Sequence, residues 1–327
     1  MIDSISISGF RGIEKLEIKD LGRINVIIGR NDSGKTALME ALAVADGPHS
    51  ALRVLQHLQK ERARNVPTGD IDGFWRPLFF GQDTNAGMHL VSWRGPERSS
   101  VDITEVGSIE PISLGDSQVV NPTWQLNAIS SKGDVLVKSQ VFGSDGAEQA
   151  AFLVSYADPK ILYWFDAGAG ISEHAVQQFS SLKSKRRERK VVELLRQIDE
   201  RLTRVEILAP RGQGQLYVEL EGMPQMLPLS MMGQGFQRAL DIAVCIAEAP
   251  VDILFIDEFE NGLHHSILGT LWGWVTKISA QRNIQVFATT HSEECVLAAA
   301  ASVASNEDNA FRVLRMARRA GAVVLSS

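Results

Sequence analysis

Only two cysteines, Cys245 and Cys295, occur in 327 residues, each in an apolar or helical setting. That is too few for a disulfide scaffold or a cysteine metal site, and it fits buried thiols in a reducing compartment. No apolar run reaches the roughly 20 residues of a membrane helix. The longest, from Ile242 to Ile256, is broken by Glu248, Pro250 and Asp252. The first residues, Met1-Ile2-Asp3-Ser4, hold no basic segment ahead of an apolar one, so no signal peptide is read and a cytoplasmic protein, with no membrane partner, is expected. A basic excess is missing as well: 33 Lys and Arg stand against 39 Asp and Glu, a net charge of −6. This argues against a surface built to coat DNA and leaves room for a local basic patch. Repeats, low-complexity tracts and Pro- or Ser-rich linkers are absent too, so the α/β parts are expected to share one sheet across the chain.

What is present suits a globular core, with 44% hydrophobic and 22% charged residues. Ile5, Ile7 and Phe10, then Ile13, Leu16 and Ile18, predict two short strands around a turn at Gly12. A buried strand over Ile24 to Ile28 runs through a Gly-rich turn into a helix beginning at Thr36. From Met88 to Phe142, short alternating strands with turns at Gly95-Pro96, Asn121-Pro122 and Lys132-Gly133 predict an antiparallel sheet. Ser172 to Leu202 reads as helix, followed by a strand from Val205. The last third alternates again: helix over Gly235 to Glu248, strand over Ile253 to Ile256, helix over His265 to Ala280, strand over Gln285 to Ala288, helix from Ser292. A hairpin over Phe311 to Leu325, turning at Ala320-Gly321, ends the chain.

The strongest chemical signal is Gly29-Arg30-Asn31-Asp32-Ser33-Gly34-Lys35-Thr36, which fits G-x-x-x-x-G-K-[ST] between a strand and a helix. Gly29 and Gly34 let the backbone wrap a phosphate, with the N–H groups of Asn31, Asp32 and Ser33 and the helix start pointing inward. Lys35 reaches the β and γ phosphates and the Thr36 hydroxyl binds Mg²⁺. The second signal is Ile253-Leu254-Phe255-Ile256-Asp257-Glu258, an apolar strand ending in two acids. Ligands bind beyond the carboxyl ends of strands in open α/β sheets, so Asp257 suits the Mg²⁺ shell and Glu258 suits a water-orienting base. The plainer reading is a pair of solvated acids opening a helix.

Lys35 with Asp257 and Glu258, Phe259-Glu260-Asn261-Gly262-Leu263-His264, and Thr289-Thr290-His291-Ser292 together resemble the ABC-type ATPase heads of the structural-maintenance-of-chromosomes, RecF and OLD (overcoming lysogenization defect) group. Within it they look like the small AAA-type, OLD-like ATPases of bacteria. Phe10-Arg11-Gly12 and Gly233-Gln234-Gly235-Phe236-Gln237-Arg238 extend the resemblance, while about 85 to 165 matches only in its β-rich character. The implied fold is a single α/β P-loop head: an N-terminal lobe over 1–165 with a β insertion, a helical segment over 166–204, and a C-terminal lobe over 205–327.

The resemblance also implies roles. Glu258, Lys35 and His291 would be catalytic, His291 as the switch histidine near the γ-phosphate; taken alone it reads as a satisfied histidine at a strand end. Arg11, Gln82, Gly233, Gly235 and Asn261 would join the phosphate loop in holding ATP. Gln82, in a Phe80-Gly81-Gln82-Asp83 turn like a Q-loop, would join Thr36 and Asp257 near Mg²⁺, unless that turn is a plain exposed one. Glu260-Asn261-Gly262 would be a D-loop across a homodimer interface. The family signature has a serine where this chain has Gly233, which puts sensing of a second subunit's nucleotide in question.

ATP and Mg²⁺ are thus the expected cofactors. The expected activity is ATP hydrolysis in a dimeric switch, for anti-phage defence or a DNA-linked process. A separately encoded effector is expected because 327 − 291 = 36 residues follow His291, too few for a nuclease. A transporter's nucleotide-binding subunit and an ATP-gated scaffold are the competing roles. The basic run from Lys183 to Lys190 suits either a nucleic-acid backbone or a solvated helix face.

Overall fold

The computed structural model describes residues 1–46, 51, 54–55, 58, 75–105, 112–113, 119–120, 122–130, 135–142, 151–154, 162–165, 173–210, 212–248, 252–304, 311–319 and 321–325, with side chains described outside 105–174. The chain folds into two compact units. The first takes in Met1–Leu21, Gly29–Leu162 and Leu314–Ser327; the second takes in Gly22–Ile28 and Tyr163–Val313.

In chain order the strands are β1 Ser4–Phe10, β2 Ile13–Ile18, β3 Ile24–Ile28, β4 Met88–Arg94, β5 Glu97–Glu105, β6 Ile112–Ser113, β7 Val119–Val120, β8 Pro122–Ser130, β9 Val135–Phe142, β10 Ala151–Val154, β11 Leu162–Phe165, β12 Leu202–Leu208, β13 Gln215–Leu220, β14 Leu227–Pro228, β15 Ile253–Ile256, β16 Gln285–Thr290, β17 Phe311–Arg319 and β18 Ala322–Leu325. The helices are α1 Lys35–Ala45, α2 Glu173–Ser184, α3 Glu188–Leu195, α4 Gln234–Glu248, α5 His265–Arg282 and α6 Glu293–Ala304.

In the first unit an antiparallel sheet runs in the order β10-β9-β8-β5-β4-β1-β2. The alternation of β1 decides its faces: Ile5 and Ile7 are fully buried while Ser4, Ser6 and Ser8 are half-buried. Helix α1, buried along nearly its whole length, packs on β1, β4 and β5. The turn at Gly95, where φ is +57°, joins β4 to β5 as the sequence predicts. The turns at Asn121, at Lys132-Gly133 and at Ala320 rest on positions outside the described residues.

In the second unit β3, β16 and β15 lie side by side and parallel, with Val26 opposite Ala288 and Ala288 opposite Ile256. All three are buried on both faces, as central parallel strands are, and β15 is apolar throughout. Helix α5 makes the crossover from β15 to β16. The fully buried Trp272 of α5 belongs to a core formed with α2, α3, α4 and α6. A smaller antiparallel sheet, β12-β13-β14, lies in the same unit.

Two expectations change. The shared sheet holds for β3, β15 and β16, but β1 and β2 belong to the antiparallel sheet, because they pair locally as a hairpin and with β4. The predicted helix over Ser172 to Leu202 is two helices broken at Arg186, whose φ is +55°. Leu202 already opens β12, where its side chain is buried opposite Leu220. Cys245 and Cys295 are buried thiols outside any disulfide, as expected. Among the described residues no helix is long and apolar enough to cross a membrane.

Candidate nucleotide site

Strand β3 ends at Ile28, and the chain passes through Gly29 to Gly34 into α1. Both glycines are required by space. Gly34 has φ +92°, and a Cβ there would stand 2.5 Å from the Val323 side chain. A Cβ at Gly29 would meet Ser33 Oγ and, at 2.6 Å, the Met316 carbonyl. Met316 and Val323 belong to the β17–β18 hairpin, which therefore backs the loop. The hairpin makes polar contacts as well: Arg318 Nη1 donates to Asp32 Oδ2 of the loop at 2.7 Å, and Val323 N–H donates to the carbonyl of Gly12, in the turn between β1 and β2, at 2.8 Å.

Lys35 is buried, and its Nζ donates to the carbonyls of Gly29 at 2.8 Å and Arg30 at 3.0 Å. The ammonium so closes the loop on itself. Ser33 Oγ is buried without a hydrogen-bond partner, and no side chain caps the start of α1. An unfilled helix start, a cradle with no room for a Cβ and a buried lysine fit a phosphate chain. Asn31 and Asp32 are exposed at the tip of the loop.

In the same unit Arg11 sits in a left-handed turn, φ +51°, and is ion-paired with the fully buried Glu40 of α1. Its N–H donates to the Leu78 carbonyl at 2.6 Å. The Phe10–Phe79 bridge strengthens this link to the 3₁₀ turn Phe80–Gln82. Gln82 is exposed there at φ +60°. The structure thus brings the Arg11 and Gln82 turns together, which sequence alone does not foresee.

In the second unit β15 ends at Ile256, and the acids come directly after it. Thr289 of β16 joins them: its Oγ1 donates to Asp257 Oδ1 at 2.5 Å and accepts the Glu258 N–H at 2.8 Å. Glu258 adopts φ +46°, a left-handed conformation that costs a non-glycine residue on the order of 1–3 kcal/mol. Phe259 anchors the turn beyond the acids, its N–H on the Thr289 carbonyl at 2.9 Å and its ring stacked 4.1 Å from Trp272. Beneath, Arg238 of α4 donates to the Asp257 carbonyl at 2.7 Å. One turn further along α4, burial pushes the Asp241 carboxyl up to about 7, an effect that Arg238 opposes.

Glu260 Oε1 accepts the backbone N–H of His291 at 2.8 Å and lies 2.9 Å from its ring Nδ1. The signature segment meets the turn at Gly262, since a Cβ at Gly235 would stand 3.0 Å from the Gly262 carbonyl. Gly262, at φ +72°, itself faces Gln234. Gly233 and Asn261 are exposed. Asp257, Glu258, Thr289, Glu260, His291 and the signature segment are thus one assembly. Sequence reading singles out the acids and His291 but misses Thr289 as their bridge, Glu260 as a ligand of His291, and the Arg238–Asp241 layer.

The pattern of the protein family described as "AAA domain, putative AbiEii toxin, Type IV TA system" matches residues 24–97 and 128–296. The chain belongs to this family. Residues 1–46 also match the AAA ATPase domain, so both motif-bearing regions of this AAA-type ATPase are covered. An ATP/GTP phosphatase of Helicobacter pylori is 24% identical over 90% of this chain and 86% of its own. Among solved structures, an Smc head bound to the C-terminal winged-helix domain of ScpA is similar with a TM-score of 0.56 at 13% identity, covering 99% of this chain and 97% of that one. A Pyrococcus furiosus Smc head with an extended coiled coil, bound to the C-terminal domain of ScpA, gives 0.52 at 12% identity, covering 99% and 95%. The fold of this AAA-type ATPase is that of these heads.

Thr36 in the first unit and Asp257 in the second each offer an oxygen donor, the kind that a hard cation such as Mg²⁺ takes. Among the described residues no cluster of three His, Cys, Asp or Glu side chains could hold a metal ion alone.

Proposed function

We propose that the protein is a single ABC-type head that binds ATP·Mg²⁺, hydrolyses it and uses the cycle as a dimeric switch. The observation that carries this reading is the Thr289 bridge. It presents Asp257 and Glu258 as a fixed pair at the end of a parallel strand, in the sheet whose β3 leads directly into the phosphate loop.

In this reading the loop N–H groups and Lys35 bind the phosphates, and Thr36 and Asp257 hold Mg²⁺. The cation, when bound, neutralises charge on the transferring phosphoryl group. Glu258 orients the attacking water and accepts its proton. His291 addresses the terminal phosphate. Arg11 and Gln82 lie in adjoining turns and sense nucleotide. Asn261 and Gly233 are exposed, as an interface with a second copy requires, and Gly235 is half-buried beside them.

The wording "AbiEii toxin, Type IV TA system" in the family description supports a role in bacterial conflict, in the cytoplasm, with a separately encoded effector. The Smc heads bound to ScpA support a protein partner. DNA remains a candidate partner through the exposed Lys185, Arg186, Arg187 and Arg189. Phosphate release and light scattering, each with and without ATP·Mg²⁺, test the proposal. Turnover with a doubling of mass on ATP is expected. No turnover would end the enzymatic reading, and an unchanged mass would end the homodimer.

A further inference from the structure

A carboxylate oxygen accepts hydrogen bonds and donates none. Glu260 Oε1 lies in reach of two donors of one residue, the His291 backbone N–H at 2.8 Å and the ring Nδ1 at 2.9 Å. The ring nitrogen facing that oxygen therefore carries a proton in both charge states of the imidazole. Proton exchange and contact with other groups are left to Nε2.

Burial gives the contact its direction. The Glu260 side chain is 11% exposed and that of His291 53%. Glu260 Oε2 is buried and meets no donor, so the His291 backbone N–H and the nearby ring offset the burial of this acid through Oε1. Both ends are fixed by backbone. Phe259, just before Glu260, is tied to Thr289 and Trp272; Leu263 N–H donates to the Glu260 carbonyl at 2.9 Å; and His291 comes directly after the last residue of β16. A D-loop role sends Glu260-Asn261-Gly262 toward a second subunit. Here only Asn261 and Gly262 are exposed, and the Glu260 side chain turns back onto its own chain.

We propose that Glu260 is a positioning residue for ATP hydrolysis, holding His291 with its proton on Nδ1 so that Nε2 is the nitrogen offered to the terminal phosphate. This rests on the reading of His291 as the switch histidine. A structural tether alone would need neither the carboxylate on the ring nor a defined tautomer.

The test uses the full chain labelled with ¹⁵N-histidine. The protein has seven histidines, and the spectrum of His291→Ala assigns the ring. Long-range ¹H–¹⁵N correlations should show His291 protonated on Nδ1 in the wild type and a mixture of tautomers in Glu260→Ala. Glu260→Ala should lower kcat by about tenfold or more, the range of one proton-transfer group, with KM for ATP within about twofold. Glu260→Gln keeps an acceptor at the same place and should restore at least half of kcat.

An unchanged tautomer in Glu260→Ala overturns the proposal. So does a Glu260→Ala kcat equal to wild type while that of His291→Ala falls, or a folded Glu260→Gln as impaired as Glu260→Ala. If His291→Ala itself turns over normally, the switch reading fails separately, and the catalytic part of the proposal falls with it.

Discussion

Thr289 Oγ1 donates to Asp257 Oδ1 at 2.5 Å, while the same oxygen accepts the Glu258 N–H at 2.8 Å. One hydroxyl on the neighbouring strand therefore sets both acids. The Asp257 carboxylate is tied to that strand, and the left-handed backbone of Glu258 is compensated by a hydrogen bond.

Replacing Thr289 by Val keeps the shape and removes the hydroxyl. The Glu258 N–H then loses its acceptor in a part-buried setting, which costs at most about 1–3 kcal/mol. Lower Tm and reduced turnover are expected, with Thr289→Ser restoring both. Calorimetry and phosphate release check this; a fully active Thr289→Val variant would show that the bridge does not position the acids.

Glu258→Gln should keep ATP binding and lower turnover by about 10² to 10⁴, the usual worth of a general base. Gln is nearly isosteric, and the backbone bond to Thr289 persists. The variant should accumulate as an ATP-bound dimer in light scattering. Turnover within a factor of about ten of wild type would remove Glu258 from the role of base.

Lys35→Ala removes the ammonium that closes the loop over the Gly29 and Arg30 carbonyls. Charge-assisted hydrogen bonds contribute about 1.5–3 kcal/mol each, so a loss of roughly tenfold to a hundredfold or more in ATP affinity is expected. Titration with labelled ATP measures it. Unchanged affinity would refute the phosphate-loop assignment.

Asp241 gives a pH dependence of stability. Its carboxyl titrates near 7 in the folded chain because it is buried, against about 3.9 for an unperturbed aspartate. Between these values the folded chain keeps a proton that the unfolded chain has released. Stability therefore falls as pH rises from about 4 to about 7, by a few kcal/mol at most. Asp241→Asn should be the more stable form at pH 8, and the difference from wild type should shrink toward pH 4. A difference independent of pH would show that Asp241 is ionised throughout.

The phosphate loop and the acid strand were readable in the sequence because their causes are local. Gly29 and Gly34 are required by backbone shape and close packing, and the buried parallel strands leave an apolar run before Asp257 and a mainly apolar one before Gly29. The antiparallel region from Met88 was readable for the same reason, through alternation and the Gly95 turn. The break at Arg186 was not, since one basic residue in left-handed backbone leaves no mark in a helical pattern. Nor was the separation of β1 and β2 from the sheet of β3, because pairing partners are chosen by the whole fold. By itself, then, the sequence determined the P-loop motif, the acid pair and the α/β class. Only the tertiary structure decided that Thr289 bridges the acids, that Glu260 lies against His291, that Arg238 lies beneath Asp257, and that the hairpin of Met316 and Val323 backs the loop. Each of these joins residues far apart in the chain, and a hydrogen bond or a packing contact depends on distance in space, which no spacing along the sequence encodes.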